Sequence, residues 1–261
     1  MESIAEDTSF KFFPHLNNVE DKGWINSGAR FRPSYFNAYF EGDSLQNKIL
    51  KEISKAHVLP IKEVLESFEY FAQIRRKVKA EFMCDLCCGH GFVGILFAIF
   101  ERKVSKVFLV DRTEPDSRKK LIEACMKVAP WIKDKIVNVK DKITTKSEWL
   151  EKGMSVISTH ACGVLTDLTI DIAISVRGKV AVMPCCYPES KCEAPLALQS
   201  KLGFENAFDI DRTYKLEKAG YHVNWASIPA SITPMNRVIV GRMKAEGRRM
   251  KWGEEKGGRE R

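Results

Sequence analysis

The chain has no apolar run long enough to cross a bilayer. Its longest, GFVGILFAIF at 91–100, has ten residues, about half of the roughly 20 that a spanning helix needs, so no membrane partner is expected. The first residues, MESIAEDTSF, lack the basic start and apolar middle of a secretory leader. Regular cysteine spacing is lacking too. The eight cysteines fall in apolar segments at uneven intervals, which argues for free thiols in a reducing compartment, the cytoplasm or the nucleus, over a disulfide framework. There is no visible internal repeat and no acidic surplus. The formal charge is +8, and the last stretch from Arg242 to Arg261 supplies half of it, with eight Lys or Arg against four Glu. This Gly-rich basic tail, 243–261, is expected to be disordered. It would either solubilise the protein or speed its encounter with phosphate polymers.

What is present suffices for one domain: 261 residues at 44% hydrophobic content can bury a full core. Residues 1–43 read as an aromatic-rich extension, since 9–40 hold nine of the 26 aromatics without helical or alternating period. Those rings could cap the core or stack on bases. A helical lead-in at 44–79 follows. Ser44 caps a helix to residue 56 with Leu45, Ile49, Leu50 and Ile53 on one face, and a second helix spans 61–78. Beyond 80, short apolar runs at 81–86, 106–111, 135–141, 154–160 and 179–185 alternate with helical stretches near 91–101, 115–128, 146–152 and 163–176. Such alternation requires crossovers, hence a parallel sheet with helices on both faces. After a helix near 193–202, YHVNWASIPASI and NRVIVGRM predict an antiparallel hairpin around Pro234. The expected fold is α/β, a doubly wound, mostly parallel seven-stranded sheet with an antiparallel C-terminal strand, occupying 44–242.

The stretch CDLCCGHGFVG, 84–94, joins the first of these strands to a helix. Gly89, Gly91 and Gly94 fit the dinucleotide pattern G-x-G-x-x-G, and Asp111 lies 22 residues after Gly89. A second register starts at Asp85 and places Cys87, Gly89 and Gly91 at alternate positions. This register resembles the D/E-x-G-x-G-x-G loop of class I S-adenosylmethionine-dependent methyltransferases, with Cys87 where the first glycine stands. A carboxylate aimed into the loop repels a diphosphate but accepts from an ammonium, and helix-start amides donate to a carboxylate. The resemblance, which covers 80–242, therefore implies S-adenosylmethionine as cofactor. It implies binding by Asp85, Cys87, Gly89, His90 and Gly91, by Asp111 on the ribose hydroxyls, by Asp141 near the adenine amino group, and by His160.

Two later motifs, THACGVLTDLTID and MPCCYPES, follow the fourth and fifth strands and should border the same crevice. His160-Ala-Cys162-Gly163 with Thr166-Asp167 and Cys185-Cys186 resembles a subgroup that contains the tRNA acceptor-stem ribose 2′-O-methyltransferases, methyltransferase-like proteins and glutathione S-transferase C-terminal-domain-containing proteins. The resemblance implies RNA, tRNA included, as a partner. The tRNA enzymes carry zinc fingers ahead of the catalytic domain; here the first cysteine is Cys84. His160 is the candidate base and Asp167, one helical turn on, its candidate orienter, with Cys162, Pro184 and Cys185 facing the acceptor.

Two other readings of the cysteines, and one that does without enzymatic turnover, stand beside this one. Cys162 and Cys185 or Cys186 occupy places comparable to the thiols of RNA cytosine-5 methyltransferases, which add a thiolate to the base. A metal reading would bring Cys84, Cys87 and Cys88 to Cys185, Cys186 and Cys192. It is set aside, because strand alternation points Cys84 away from the crevice and one C-x-x-C is little signal. The third is a non-catalytic scaffold that binds RNA or protein.

Overall fold

The structure, a computed structural model, describes residues 9–189 and 192–244. Apart from Met243 and Lys244, the basic tail lies outside the described residues. Seven strands form one sheet: β1 (Phe82–Leu86), β2 (Lys106–Asp111), β3 (Ile136–Lys140), β4 (Ser155–Ser158), β5 (Val180–Val182), β6 (Tyr221–Ser227) and β7 (Arg237–Met243). Their order is β3-β2-β1-β4-β5-β7-β6. β7 runs antiparallel to both its neighbours while the rest are parallel, the arrangement of the Rossmann-like methyltransferase fold.

Alternation along the strands explains why both faces are covered. Met83, Val107, Leu109, Ile157, Ala181, Val238 and Val240 enter one core cluster. Cys84, Leu86, Val110, Val156, Val180, Val182 and Ile239 enter the other, as the twofold period of a strand requires. Eight α-helices lie among the described residues: α1 (Pro33–Tyr39), α2 (Leu45–Ala56), α3 (Ile61–Val78), α4 (Phe92–Phe100), α5 (Asp116–Met126), α6 (Val164–Val176), α7 (Leu196–Leu202) and α8 (Phe204–Lys218). The Ser44 side chain accepts from the Asn47 amide to cap α2. α4, apolar all round, is buried on every side between the sheet and α3. There Phe71 meets Phe97 and Phe68 meets Phe92 edge-on, with centroids 4.9 and 5.4 Å apart.

The N-terminal aromatics close over α3. Phe10, Phe13, Phe31 and Phe40 are buried in the same core, and Trp24 stacks on Tyr39 at 4.0 Å. The segment is tied down by one carboxylate: Glu69 of α3 accepts from the backbone amides of Lys11, Phe12 and Phe13 at 2.7, 3.0 and 3.2 Å.

Three expectations are corrected. The stretch 146–152 contains turns and no helix, with Trp149 stacked on Phe108 at 6.3 Å. β6 and β7 are joined by a nine-residue loop closed by Ile228 N–H donating to Asn236 O, wider than a tight turn at Pro234. A fifteen-residue helix, α8, follows α7 where no helix was expected. α8 carries Asp209 and Arg212 into the core, 0% and 1% exposed. Arg212 forks onto Asp167 at 2.9 and 3.1 Å, bonds Asp209 at 3.2 Å and lies over the Phe208 ring at 4.1 Å. Tyr187 and Arg237 complete Asp209 at 2.8 and 2.7 Å. Because removing one member strands buried charge, Arg212→Ala is expected to cost about 3–5 kcal/mol. It should lower the melting temperature by roughly 10 °C, read by thermal denaturation.

Candidate active site

The carboxyl ends of the parallel strands carry the candidate residues. β1 and β4 are neighbours in the sheet although β2 and β3 intervene in sequence, so the connections from their ends diverge and leave a crevice. β1 delivers Asp85. β2 ends on Asp111, Asp141 directly follows β3, and His160 follows β4 by two residues.

Two adjoining clefts share this edge, and Cys87 and His160 line both. The first, about 200 Å³, is bordered by Asp85, Cys88, Gly89, His90, Glu63 and Thr159 among others. The second, about 440 Å³, is bordered by Asp111, Arg112, Asp141, Lys142, Ile143 and Leu165. Together they form a trough running from the buried acid of β1 to the acids of β2 and β3.

The glycine turn is shaped for close approach. Gly89 and Gly91 have φ of 51° and 71°, a left-handed conformation that suits glycine. A side chain at Gly94 would meet Leu109 at 2.5 Å and Asp85 at 3.2 Å, so the helix start can pack against β1 and β2 only without one, whereas nothing lies within 4 Å of where a Cβ would stand at Gly89. Cys87 also has positive φ, 52°, which a β-carbon makes costly by about 1–2 kcal/mol. The backbone thus keeps the conformation for which the resembling loop uses glycine.

Each acid is held differently. Asp85 is 2% exposed. Its Oδ2 accepts from the Gly94 amide at 2.9 Å, and its Oδ1 is buried without a partner among the described residues. Burial pushes its carboxyl up to about 7, opposed by the Gly94 bond and Arg118 and assisted by Asp111. Asp111 accepts the Gly89 amide at 2.9 Å and the Thr113 amide at 3.0 Å, which fixes its carboxylate at the trough wall. The His90 ring lies 2.7 Å from Ser117 Oγ and 3.7 Å from Glu63.

S-adenosylmethionine fits this donor set. The unpartnered Asp85 oxygen suits its ammonium, the open Gly89 backbone leaves room for a close chain, and Asp111 and Asp141 offer acceptors to ribose hydroxyls and an adenine amino group. A diphosphate would meet three carboxylates instead.

His160, half-exposed, has Nε2 3.4 Å from Glu66 Oε1 of α3, a side chain 4% exposed. Burial pushes the Glu66 carboxyl up to about 7 and the His160 imidazole below its usual value. Arg212 holds both Asp167 oxygens, and the carboxyl group beside the His160 ring is that of Glu66. Asp171 pairs with Lys215 at 2.7 Å. Cys162 and Cys185 line neither cleft. Their sulfurs lie 3.1 Å apart beside it, and Pro184 is buried. Cys84 is buried, with its sulfur toward Ser155 O, on the face opposite Met83.

Sequence reasoning missed three supporting residues, Glu66, Tyr70 and Arg118. Glu66 shares an inward face of α3 with Glu69, Tyr70 and Gln73, all buried, so acids interrupting an apolar helix face were the available signal. Tyr70 Oη donates to Ser158 O and Ala181 O at 3.1 and 2.8 Å, fixing the ends of β4 and β5. Arg118 of α5, fully buried, donates to Gly89 O at 2.9 and 2.6 Å and contacts Cys88 Sγ at 3.2 Å. It holds the loop from behind. Arg118→Leu is expected to weaken cofactor binding about tenfold and destabilise the fold by about 3 kcal/mol. Lysine should not rescue it, lacking the planar fork; calorimetry and thermal denaturation read the two effects.

The chain is 24% identical over 193 residues to the glutathione S-transferase C-terminal domain-containing protein of Xenopus laevis, covering 60% of this chain and 30% of that protein. The human protein of that name is 29% identical over 120 residues, covering 33% of this chain and 19% of its own. The chain therefore spans under a third of the length of these relatives. Among solved structures, the fibrillarin pre-rRNA processing protein of Methanococcus jannaschii superposes with a TM-score of 0.42 at 14% identity, over 65% of this chain and 69% of that one. An S-adenosylmethionine-dependent methyltransferase from Aquifex aeolicus gives 0.40 at 14%, over 68% and 90%. Residues 52–193, more than half of the chain, match the family described as "Methyltransferase domain", so the chain belongs to that methyltransferase family.

Proposed function

We propose that this domain methylates RNA, at a ribose 2′-hydroxyl, tRNA being one candidate substrate. The observation that carries the reading is the placement of His160, backed by the buried Glu66, where the two clefts join. S-adenosylmethionine supplies an electrophilic methyl group on a sulfonium. Asp85 holds the amino-acid end, Asp111 the ribose and Asp141 the base. A ribose hydroxyl must lose its proton as it attacks; His160 is the acceptor for that proton, and Glu66 fixes the ring through Nε2 and steadies the imidazolium. Arg112 and Lys142 border the trough, and Lys62 and Arg30 act on the His160 and His90 rings. These cations support a phosphate-bearing acceptor. Eight cysteines at uneven spacings in apolar segments support a reducing compartment, cytoplasm or nucleus. Among the described residues no helix is long and apolar enough to cross a membrane.

The test is transfer of tritium from labelled cofactor into fractionated RNA, protein and metabolite pools. The expected label is in RNA, released by nuclease digestion as 2′-O-methylnucleoside. His160→Ala is expected to slow transfer about 10²- to 10⁴-fold, more than it weakens cofactor binding. Label confined to metabolites would refute the RNA reading. A covalent complex with 5-fluorocytosine RNA, lost on replacing Cys162 or Cys185, would establish the cytosine-5 chemistry instead, and a folded protein that never binds cofactor would be a scaffold.

A further inference from the structure

Three thiols meet where β4 and β5 end. Cys162 comes from the loop after β4, Cys185 and Cys186 from the loop after the adjacent β5, and all three sulfurs lie within 4.8 Å of one another. The pairing of parallel neighbours makes this convergence: Ser158 stands opposite Val182, so loops leaving those positions start side by side. Tyr70, whose hydroxyl bonds the Ser158 and Ala181 carbonyls, ties the two strands together there. Cys162 and Cys186 are exposed and Cys185 is partly so, which leaves the cluster open to a solvent ion.

We propose that Cys162, Cys185 and Cys186 bind one Zn²⁺ as a three-thiolate site, with the fourth coordination position left to water or an incoming group. Tetrahedral zinc with sulfur at about 2.3 Å sets its ligand sulfurs roughly 3.8 Å apart, and the cluster brackets that figure, with one separation of 3.1 Å and all within 4.8 Å. The donors are all soft sulfur, the set that selects zinc or cuprous ion over magnesium and calcium. A disulfide between Cys162 and Cys185 would account for two sulfurs and leave the third unexplained. Cys84 and Cys125 are buried in the core, and Cys192 is outside the cluster. Binding needs no oxidant: three S–H bonds give their protons to solvent and three sulfur–zinc bonds form. The ion would cross-link the segment after β5 to the His160 loop at the side of the cleft. This site is independent of the acceptor's identity.

The full chain, purified in reductant, stripped with chelator and exchanged into chelator-free buffer, is titrated with Co²⁺ as a spectroscopic stand-in. The expected result is a thiolate-to-cobalt charge-transfer band and intense tetrahedral ligand-field bands that saturate at one equivalent and are bleached by one equivalent of Zn²⁺. Cys162→Ser and the triple serine variant should lose the charge-transfer band, while Cys192→Ser keeps it. Circular dichroism matching the parent shows that each variant has folded. Absence of the band in reduced, folded parent protein would overturn the proposal. So would a band undiminished in the triple variant, or one lost in Cys192→Ser and kept in Cys162→Ser.

Discussion

Asp111→Ala is expected to raise the dissociation constant for S-adenosylmethionine at least about a hundredfold, because two hydrogen bonds from ribose hydroxyls to one carboxylate are lost and each such bond contributes roughly 1.5–3 kcal/mol. The side chain also anchors the turn through the amides of Gly89 and Thr113, so part of the loss would come from a loosened loop. Asp111→Asn separates the two contributions. The amide retains one oxygen for the turn but lacks the charge, and its affinity should fall between parent and alanine. Equilibrium dialysis measures the constants. Thermal shift gives an independent reading: cofactor at a hundred times the parent's dissociation constant should stabilise the parent by about 2.7 kcal/mol and the alanine variant by far less. Parent-like binding by Asp111→Ala would remove Asp111 from the site.

The second large effect is a dependence on pH in which affinity and stability move in opposite directions. The Asp85 carboxyl, pushed up to about 7 by burial, must ionise to hold an ammonium. Cofactor affinity should therefore fall as pH drops below 7, approaching tenfold per unit. Stability of the cofactor-free protein runs the other way. An unfolded aspartate releases its proton near 3.9 and the folded one near 7, so the folded state holds the extra proton between these values. The contribution is favourable at low pH and is lost as pH rises from about 4 to 7. Asp85→Asn should flatten that loss, stabilise the cofactor-free protein at pH 8 by on the order of a few kcal/mol, and bind cofactor far more weakly. Titrations between pH 5.5 and 7.5, with denaturant melts of both proteins, provide the check; a flat affinity profile for the parent would contradict it.

The order in which the site became visible follows from what sequence can encode locally. Asp85, Gly89, Gly91 and Asp111 sit at strand ends or a tight turn, and alternation in the flanking strands marks those places directly. The parallel pairing was legible for the same reason, since crossovers leave long helical stretches between short apolar runs. α8 was not. Its core face includes Asp209 and Arg212, and buried charges that satisfy one another erase the apolar period by which an amphipathic helix is recognised. The helix expected at 146–152 failed conversely: Trp149 supplied apolar content but packs from a turn onto Phe108. Glu66 and Arg118 act on residues remote in sequence, His160 and Gly89, so no local spacing reveals either partnership. Asp167 illustrates the same limit. Seven residues after His160 along the chain, it is claimed by Arg212 from α8, a helix the sequence pattern concealed.

The central claim is that carboxylates along one sheet edge cradle a cationic amino-acid nucleoside. Titration calorimetry of the full chain with S-adenosylmethionine, and separately with NAD⁺, tests it most directly. One site for S-adenosylmethionine and no heat from NAD⁺ is the predicted result. Saturable NAD⁺ binding that the nucleoside displaces, or no S-adenosylmethionine binding by folded protein, would contradict it.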